Sequence, residues 1–425
     1  MTDPAAKTQD NRAASTRPLR FCMVTTFYPP YHFGGDALQV YRLSEALAAR
    51  GHQVDVVHSV DAFRLHESAE PEATFAHHAN IRRHALRSRH PAASALVSHQ
   101  LGGPGPYAGQ LRRILADGDH DVIHFHNVSL TGGPAVLRLG RGIKLYTAHE
   151  YWLVCPTHVL FRFDREACTR RTCLACTLHS RRPPQLWRWT ARLGRCLEEL
   201  DCLLLPSRFS RDRHQDQGIE VPMEVLPHFV PDSDDEPDAG PPPERPYFLY
   251  AGRLEKLKGV QDLIELFTSE HAADLLIAGD GSFGSELRRM AADLPHVRFL
   301  GAVHASELRR LYRSAVAVLV PSLCYESFGL TPIEAFQQGC PAIVRHHGAL
   351  PELIEQSGAG FTFESIEECA KSMRRLLTTE GLRENLGARG RQAVRRHWSA
   401  DVHLERYLGL IENQRRVRPR AGGTA

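Results

Sequence analysis

The stretch "LLIAGDGSFGSELRRM", Leu275 to Met290, reads as a buried strand, a glycine-rich turn and the start of a helix. Its glycines, Gly279, Gly281 and Gly284, have the G-x-G-x-x-G spacing of a dinucleotide-binding turn. A nicotinamide site also needs a carboxylate about 20 residues on, ending a second strand, to hold the ribose hydroxyls. The next strand, "HVRFLGAVH" from His296 to His304, ends at Gly301 without one. The turn also lies deep in the chain, where a first βαβ unit is not expected. What survives is a tight turn at the carboxyl end of a parallel strand, where open α/β sheets bind ligands.

Further strand–helix alternation extends in both directions. "RFCMVTTFYPP" opens as a buried strand, Arg20 to Phe27, and stops at a Pro pair. A glycine loop, an amphipathic helix from about Asp36 to Arg50 and a strand from Gln53 to Val57 complete a βαβ unit. "HDVIHFHN", "IKLYTAHE" and "DCLLLPS" are further short apolar strands. "VPDSDDEPDAGPPPERP", Val230 to Pro246, is acidic, Pro-rich and without apolar periodicity, so it reads as an interdomain linker. A second series follows it: "YFLYAG", "DLLIAG", "VRFLG", "VAVLVPS" and "CPAIVR". The pattern predicts two parallel α/β domains, residues 20–229 and 247–397, with both sets of strand ends facing one cleft. "HWSADVHLERYLGLIENQ" predicts a final amphipathic helix over 398–415, and residues 1–19 and 416–425 read as disordered tails.

Composition sets limits. The chain has 425 residues, enough for two domains, with ordinary hydrophobic (42%) and charged (24%) shares for a globular protein. A net charge of +3 gives no global field for nucleic acid. No run of about 18 apolar residues predicts a spanning helix, and the N-terminus has no signal core, so a cytoplasmic protein is expected. Lysine is scarce beside arginine, the signature of a GC-rich, bacterial genome. Two of its five positions, Lys256 and Lys258, fall in "RLEKLKG".

Several strand-end motifs should converge on the cleft. "FGGD", Phe33 to Asp36, is a glycine loop before a helix N-terminus, which offers unpaired N–H groups to an anion, although most such pairs are simple turns. "AGRLEKLKG" places Arg253 and Lys258 after a strand, within reach of a diphosphate; standing alone it would be a solvated basic loop. In "YESFGLTPIEAFQQGCPAI", Glu326 and Glu334 are separated by seven residues, with Phe328-Gly329-Leu330 between them and Pro332 near a helix start. A capping carboxylate plus a surface Glu would account for the two acids but not for the glycine and the basic partner motif together.

These segments, with "GALPELI" and "TAHEYW", resemble glycosyltransferase family 4 in order and spacing over about Arg20 to Glu412. The resemblance implies the GT-B fold: two Rossmann-like doubly wound domains facing a cleft, with the C-terminal helix crossing back onto the first. It implies retaining transfer from a nucleotide-sugar, a UDP- or GDP-sugar, to a glycan, lipid-linked or small-molecule acceptor, with no cofactor needed for catalysis. By position, Arg253 and Lys258 would hold the diphosphate, with Gly252 beside them. Glu334 would bind the ribose and Glu326 the donor sugar. Phe328, Gly329 and Leu330 would lend N–H groups, Gly34 and Gly35 would approach from the other domain, and His149 would sit at the sugar face near the acceptor. His126 is expected to be structural. The family is described as reacting on one face, the leaving phosphate taking the acceptor's proton. A sugar-nucleotide epimerase or a non-catalytic nucleotide-sugar-binding relative is the alternative. Glu150 and Ser327 depart from the common Asp and Gly, which leaves sugar selectivity open.

Two features stand outside that resemblance. Residues 155–179 form a cysteine-rich insertion in which Cys155, Cys168, Cys173 and Cys176 suit one structural zinc, an iron–sulfur cluster or a set of unligated thiols, with His158 and His179 as spare ligands. "SRRPPQLWRWTARLGR", Ser180 to Arg195, and "IRRHALRSRH" suit either peripheral contact with an anionic membrane or a solvated helix face with its Trp packed inward. D-x-D triplets in "DGDHD" (Asp117 to Asp121) and in the linker are assigned no metal.

Overall fold

The structure, a computed structural model, describes residues 17–71, 73–232 and 244–417. Most of the expected linker and both tails lie outside these residues. The first half contains strands β1 (Arg20–Val24), β2 (Gln53–Ser59), β3 (Ile81–Leu86), β4 (Val122–Phe125), β5 (Ile143–Thr147), a small antiparallel pair β6 (Phe161–Arg162) and β7 (Glu166–Ala167), then β8 (Cys202–Leu205) and β9 (Met223–Val225). The second contains β10 (Tyr247–Ala251), β11 (Asp274–Ala278), β12 (Val297–Gly301), β13 (Ala317–Val320), β14 (Ala342–Arg345) and β15 (Gly360–Phe363).

Each half is a parallel sheet with the doubly wound order. The first runs β3-β2-β1-β4-β5-β8-β9 and the second β12-β11-β10-β13-β14-β15. The order reverses beside β1 and beside β10, and a ligand crevice forms beyond the carboxyl ends of strands at such a point. The central strands are largely apolar on both faces because helices cover both. Along β1, Cys22 and Val24 enter one core and Phe21 and Met23 the other. Along β10, Phe248 and Tyr250 face one core and Tyr247 and Leu249 its opposite.

The last helix, Ala400–Val417, returns to the first half. Leu404, Tyr407 and Ile411, spaced as one helical stripe, join Phe21 and Leu145 in the first half's core. The outgoing and returning chain segments are bonded where they pass, Val230 N–H donating to Trp398 O at 3.1 Å.

The glycine triplet that opens the sequence reading has a packing cause. A Cβ on Gly279 would stand 1.9 Å from the Gly252 carbonyl oxygen, and one on Gly281 2.5 Å from that of Leu254. The loops after β10 and β11 are pressed together there, with Leu254 N–H donating to Asp280 O at 2.9 Å. The triplet thus seats the loop that carries Arg253. The segment Ile81–Leu86, read from sequence only as a basic patch, is the edge strand β3: its arginines face solvent while Leu86 is buried.

Candidate functional site

The loop after β10 turns through Lys256–Lys258 and then Gly259, at φ 75°. A Cβ on Gly259 would stand 2.1 Å from the Pro321 carbonyl oxygen, so this loop lies directly against the one after β13. That contact brings Lys258 Nζ to 2.7 Å from Glu326 Oε1, where Ser322 Oγ–H also donates at 2.6 Å. Burial alone would raise the Glu326 carboxyl; the Lys258 ammonium, with the hydrogen bond from Ser322 and the charge of Arg253, outweighs it and holds the pKa below the usual range. Burial likewise opposes the charge on Lys258, and Glu326 reverses that, raising its pKa. Arg253 is exposed, paired with Glu255 at 2.8 Å.

The helix Leu330–Gln337 starts at Gly329, which takes φ 136°; a Cβ there would meet Leu350 Cδ2 and Leu353 Cδ1 at 2.9 Å. No side chain caps this helix, and its first residues, Leu330 to Pro332, border the cavity between the halves.

Facing them is the helix Gly34–Ala49 of the first half. Gly34 takes φ 73°, and a Cβ on Gly35 would stand 2.9 Å from Leu330 Cδ1 across the cleft. Asp36, in the first turn, has its carboxyl pushed up to about 6 by burial and then by the charge of Glu150. After β5, His149 is held on both ring nitrogens: Nε2 to His126 Nδ1 at 3.0 Å and Nδ1 to His228 Nε2 at 3.2 Å. Burial pushes the His149 pKa down to about 4, so the ring is neutral at physiological pH. His228 meets the edge of Phe328 at 5.2 Å between centroids, carrying the chain of rings across the cleft.

The halves are clasped around this region. Ser327 Oγ–H donates to His149 O at 2.5 Å, and Ser207 Oγ–H to Ser327 O at 2.7 Å. The Glu352 carboxylate accepts the N–H groups of Arg208 and Phe209 at 3.1 and 2.6 Å, satisfying the start of the helix Arg208–Asp216.

Between the halves lies a cavity of about 220 Å³. Of the residues the sequence singles out, Gly35 and His149 line it from one side; Gly252, Arg253 and Lys258 from the β10 loop; Glu326, Phe328, Gly329 and Leu330 from the β13 loop. Gly34 and Glu334 do not line it. Glu334 borders a neighbouring cavity of about 100 Å³ and pairs with Arg42 of the opposite half at 3.0 Å. His149, expected at the sugar face, borders the cavity with both ring nitrogens bonded inward. Asp36, Gln39, Ser322 and His228 also line the cavity and were not foreseen. Asp36 is the fourth letter of "FGGD", and that adjacency was the available signal; His228 follows a strand too short to announce itself.

The four cysteines of the insertion all border one cavity of about 20 Å³. Among the described residues no group of three or more His, Cys, Asp or Glu side chains is set, as it stands, to hold a metal ion. His158 is bonded to Glu150 at 2.7 Å, and His179 lies edge-on to Phe163. Trp187 is buried between Trp152 and Arg188, whereas Trp189 is exposed. No described helix is long and apolar enough to cross a membrane. In "DGDHD", Asp121 accepts the Arg20 N–H at 3.0 Å, a structural use.

Two family models match the chain and meet near the expected linker: "Glycosyltransferase Family 4" over residues 33–234 and "Glycosyl transferases group 1" over 232–393. An uncharacterized glycosyltransferase of Methanocaldococcus jannaschii is 26% identical over 90% of this chain and 95% of its own length. A sulfoquinovosyl transferase of Arabidopsis thaliana is 29% identical over 40% of this chain, a match spanning 34% of that protein. Among solved structures, sucrose-phosphate synthase of Thermosynechococcus elongatus superposes with a TM-score of 0.71 at 19% identity, covering 94% of this chain and all of that one. The Anabaena protein HepE, solved with UDP-glucose, gives 0.64 at 14% identity, covering 93% of this chain and all of that one.

Proposed function

The chain belongs to the family 4 glycosyltransferases, and from that premise we propose that it moves a sugar, with retention, from a nucleoside-diphosphate sugar to an acceptor hydroxyl. The observation that carries this reading is the convergence of Lys258, Glu326 and the uncapped start of Leu330–Gln337 on a cavity closed from the other half by Gly35. Negative charge grows on the diphosphate as the glycosidic bond breaks. Lys258, Arg253 and the N–H groups of residues 328–330 are donors placed where that charge develops, so they favour the transition state over the bound ground state. Glu326, kept ionised by Lys258, accepts sugar hydroxyls, and Gly35 lets the opposite helix start come close against Leu330, closing that side of the site. Glu334 receives the ribose, sharing its carboxylate with Arg42. His149 acts through a neutral ring fixed by His126 and His228, shaping the acceptor side. The HepE complex with UDP-glucose, similar in fold, supports a nucleotide-sugar as donor.

The acceptor side belongs to the first half, where one surface favours a lipid-linked acceptor met at a membrane. Of ten exposed large hydrophobic residues among the described ones, six fall in two stretches of this half, residues 96–101 and 174–189: Leu96, Leu101, Leu174, Leu178, Leu186 and Trp189. Arg181, Arg182 and Arg195 are exposed in the same segment, the mixture that suits an anionic surface.

The test is release of nucleoside diphosphate from a panel of UDP-, GDP- and ADP-sugars, with the anomeric configuration of the product read by NMR. Turnover of one class with retention, abolished in Lys258→Ala, supports the reading. Inversion, or epimerised donor without transfer, refutes it.

A further inference from the structure

The insertion after β5 is poorly explained by packing alone. Its apolar cluster is small: buried Tyr151, Cys155 and Leu160, with half-buried Val154, Cys168, Phe209 and Tyr325 packed against them. Among the described residues six non-glycine residues have positive φ, and four of them are here: His158, Leu160, and Phe163 and Asp164 in the turn joining β6 to β7. Each such conformation costs on the order of 1 kcal/mol and persists only where surroundings enforce it. Hydrophobic burial is sparse here, and a crosslink between side chains would help to hold these turns.

The cysteines supply a candidate. Cys155 sits in a tight turn, its N–H donating to Tyr151 O at 2.7 Å. Cys168 directly follows β7, its N–H donating to Leu160 O at 2.7 Å, which brings it back to the base of the β6–β7 pair. Cys173 and Cys176 occupy the first turn of the helix Cys173–His179. Three local elements thus direct four thiols to the walls of one cavity of about 20 Å³, room for one water-sized guest and too small for an iron–sulfur cluster. Arg162 borders the same cavity, and buried Arg188 interacts electrostatically with Cys155 and Cys173. A zinc ion with four thiolates carries a net charge of about −2, which the Arg188 guanidinium offsets in part, Arg162 being paired with Glu166.

We propose that Cys155, Cys168, Cys173 and Cys176 bind one zinc ion as a closed tetrahedral site that pins the insertion. Binding draws the thiols inward and releases their four protons to solvent. The site is structural, because four protein ligands leave no position for substrate. Its place is consequential nonetheless: the pinned segment includes His158, which is bonded to Glu150 and accepts the Tyr151 N–H on its carbonyl at 3.0 Å, and the Tyr151 hydroxyl donates to Glu326 O at 3.4 Å.

The test uses the full-length chain purified from zinc-supplemented cells. Metal analysis should find about one zinc per chain, retained by Cys196→Ser and lost by Cys173→Ser. Thiol titration after chelation should expose four more reactive cysteines than before, with a fall in melting temperature. Cobalt substitution should give the visible spectrum of a tetrahedral thiolate site, a readout on wild-type protein that does not depend on any variant folding. Metal-free protein with four reactive thiols, four cysteines recovered as disulfides, or iron with labile sulfide would each overturn the proposal.

Discussion

Replacing Lys258 with Met keeps the side chain's length and removes its charge. The wild-type ammonium stands 2.7 Å from Glu326 Oε1, and both side chains are 21% exposed. Breaking a fully buried pair costs about 3–5 kcal/mol and a surface pair about 0–1 kcal/mol, so partial exposure places this one near 2–3 kcal/mol. Ser322 still donates to the orphaned carboxylate, which keeps the loss from reaching the upper bound. In a domain of this size each kcal/mol shifts the melting temperature by about 2–4 °C, giving a drop of roughly 4–12 °C near neutral pH. The pH dependence carries the sharper content. In the wild type Glu326 lies below the usual carboxylate range, so its stabilisation is fully present above the unfolded value of about 4.3 and is lost as pH falls through the depressed folded value. Without the ammonium, burial prevails and the folded value rises above the unfolded one. The variant's deficit should then grow as pH increases from about 5 to about 7.5. Glu326→Gln added to Lys258→Met should recover stability near neutral pH, because it removes the uncompensated charge. Scanning calorimetry of the three proteins at both pH values measures this. A deficit equal at both, or no recovery in the double variant, refutes the account of the pair.

Gly279→Ala should destabilise the second half by roughly 3 kcal/mol, because its Cβ would meet the Gly252 carbonyl oxygen and backbone must move. Urea unfolding monitors it, and an unchanged midpoint would show that the triplet is not a packing requirement. Arg42→Ala frees Glu334 of its cross-cleft partner. It should change donor affinity by a few-fold with little effect on turnover, read as KM against kcat; loss of turnover with unchanged KM would place Arg42 elsewhere in the reaction.

The parts of this fold legible in sequence are the ones governed by local pattern. β1, β10, β11 and β13 are continuous apolar runs because both faces of each sheet are covered. The last helix announced its stripe, and the Glu-spaced motif announced a loop and a helix start. β3 escaped because an edge strand with outward arginines looks like a charged patch. The partners of the site residues escaped for a different reason. Arg42 and Glu334 are 292 positions apart and meet only when the two sheets close on each other; His149 and His228, 79 apart within the first half, meet only when the chain after β5 and the chain after β9 come together at one end of that sheet. The glycine triplet was legible as a turn, but its cause, the carbonyl of Gly252 pressed beneath Gly279, was not.

Calorimetric titration of the wild type and Glu334→Ala with UDP, GDP, ADP and NAD tests the donor-site assignment most directly. The account predicts that one nucleoside diphosphate binds, that the variant weakens it, and that NAD gives no heat. Binding of NAD alone, or equal diphosphate affinity in both proteins, would contradict it.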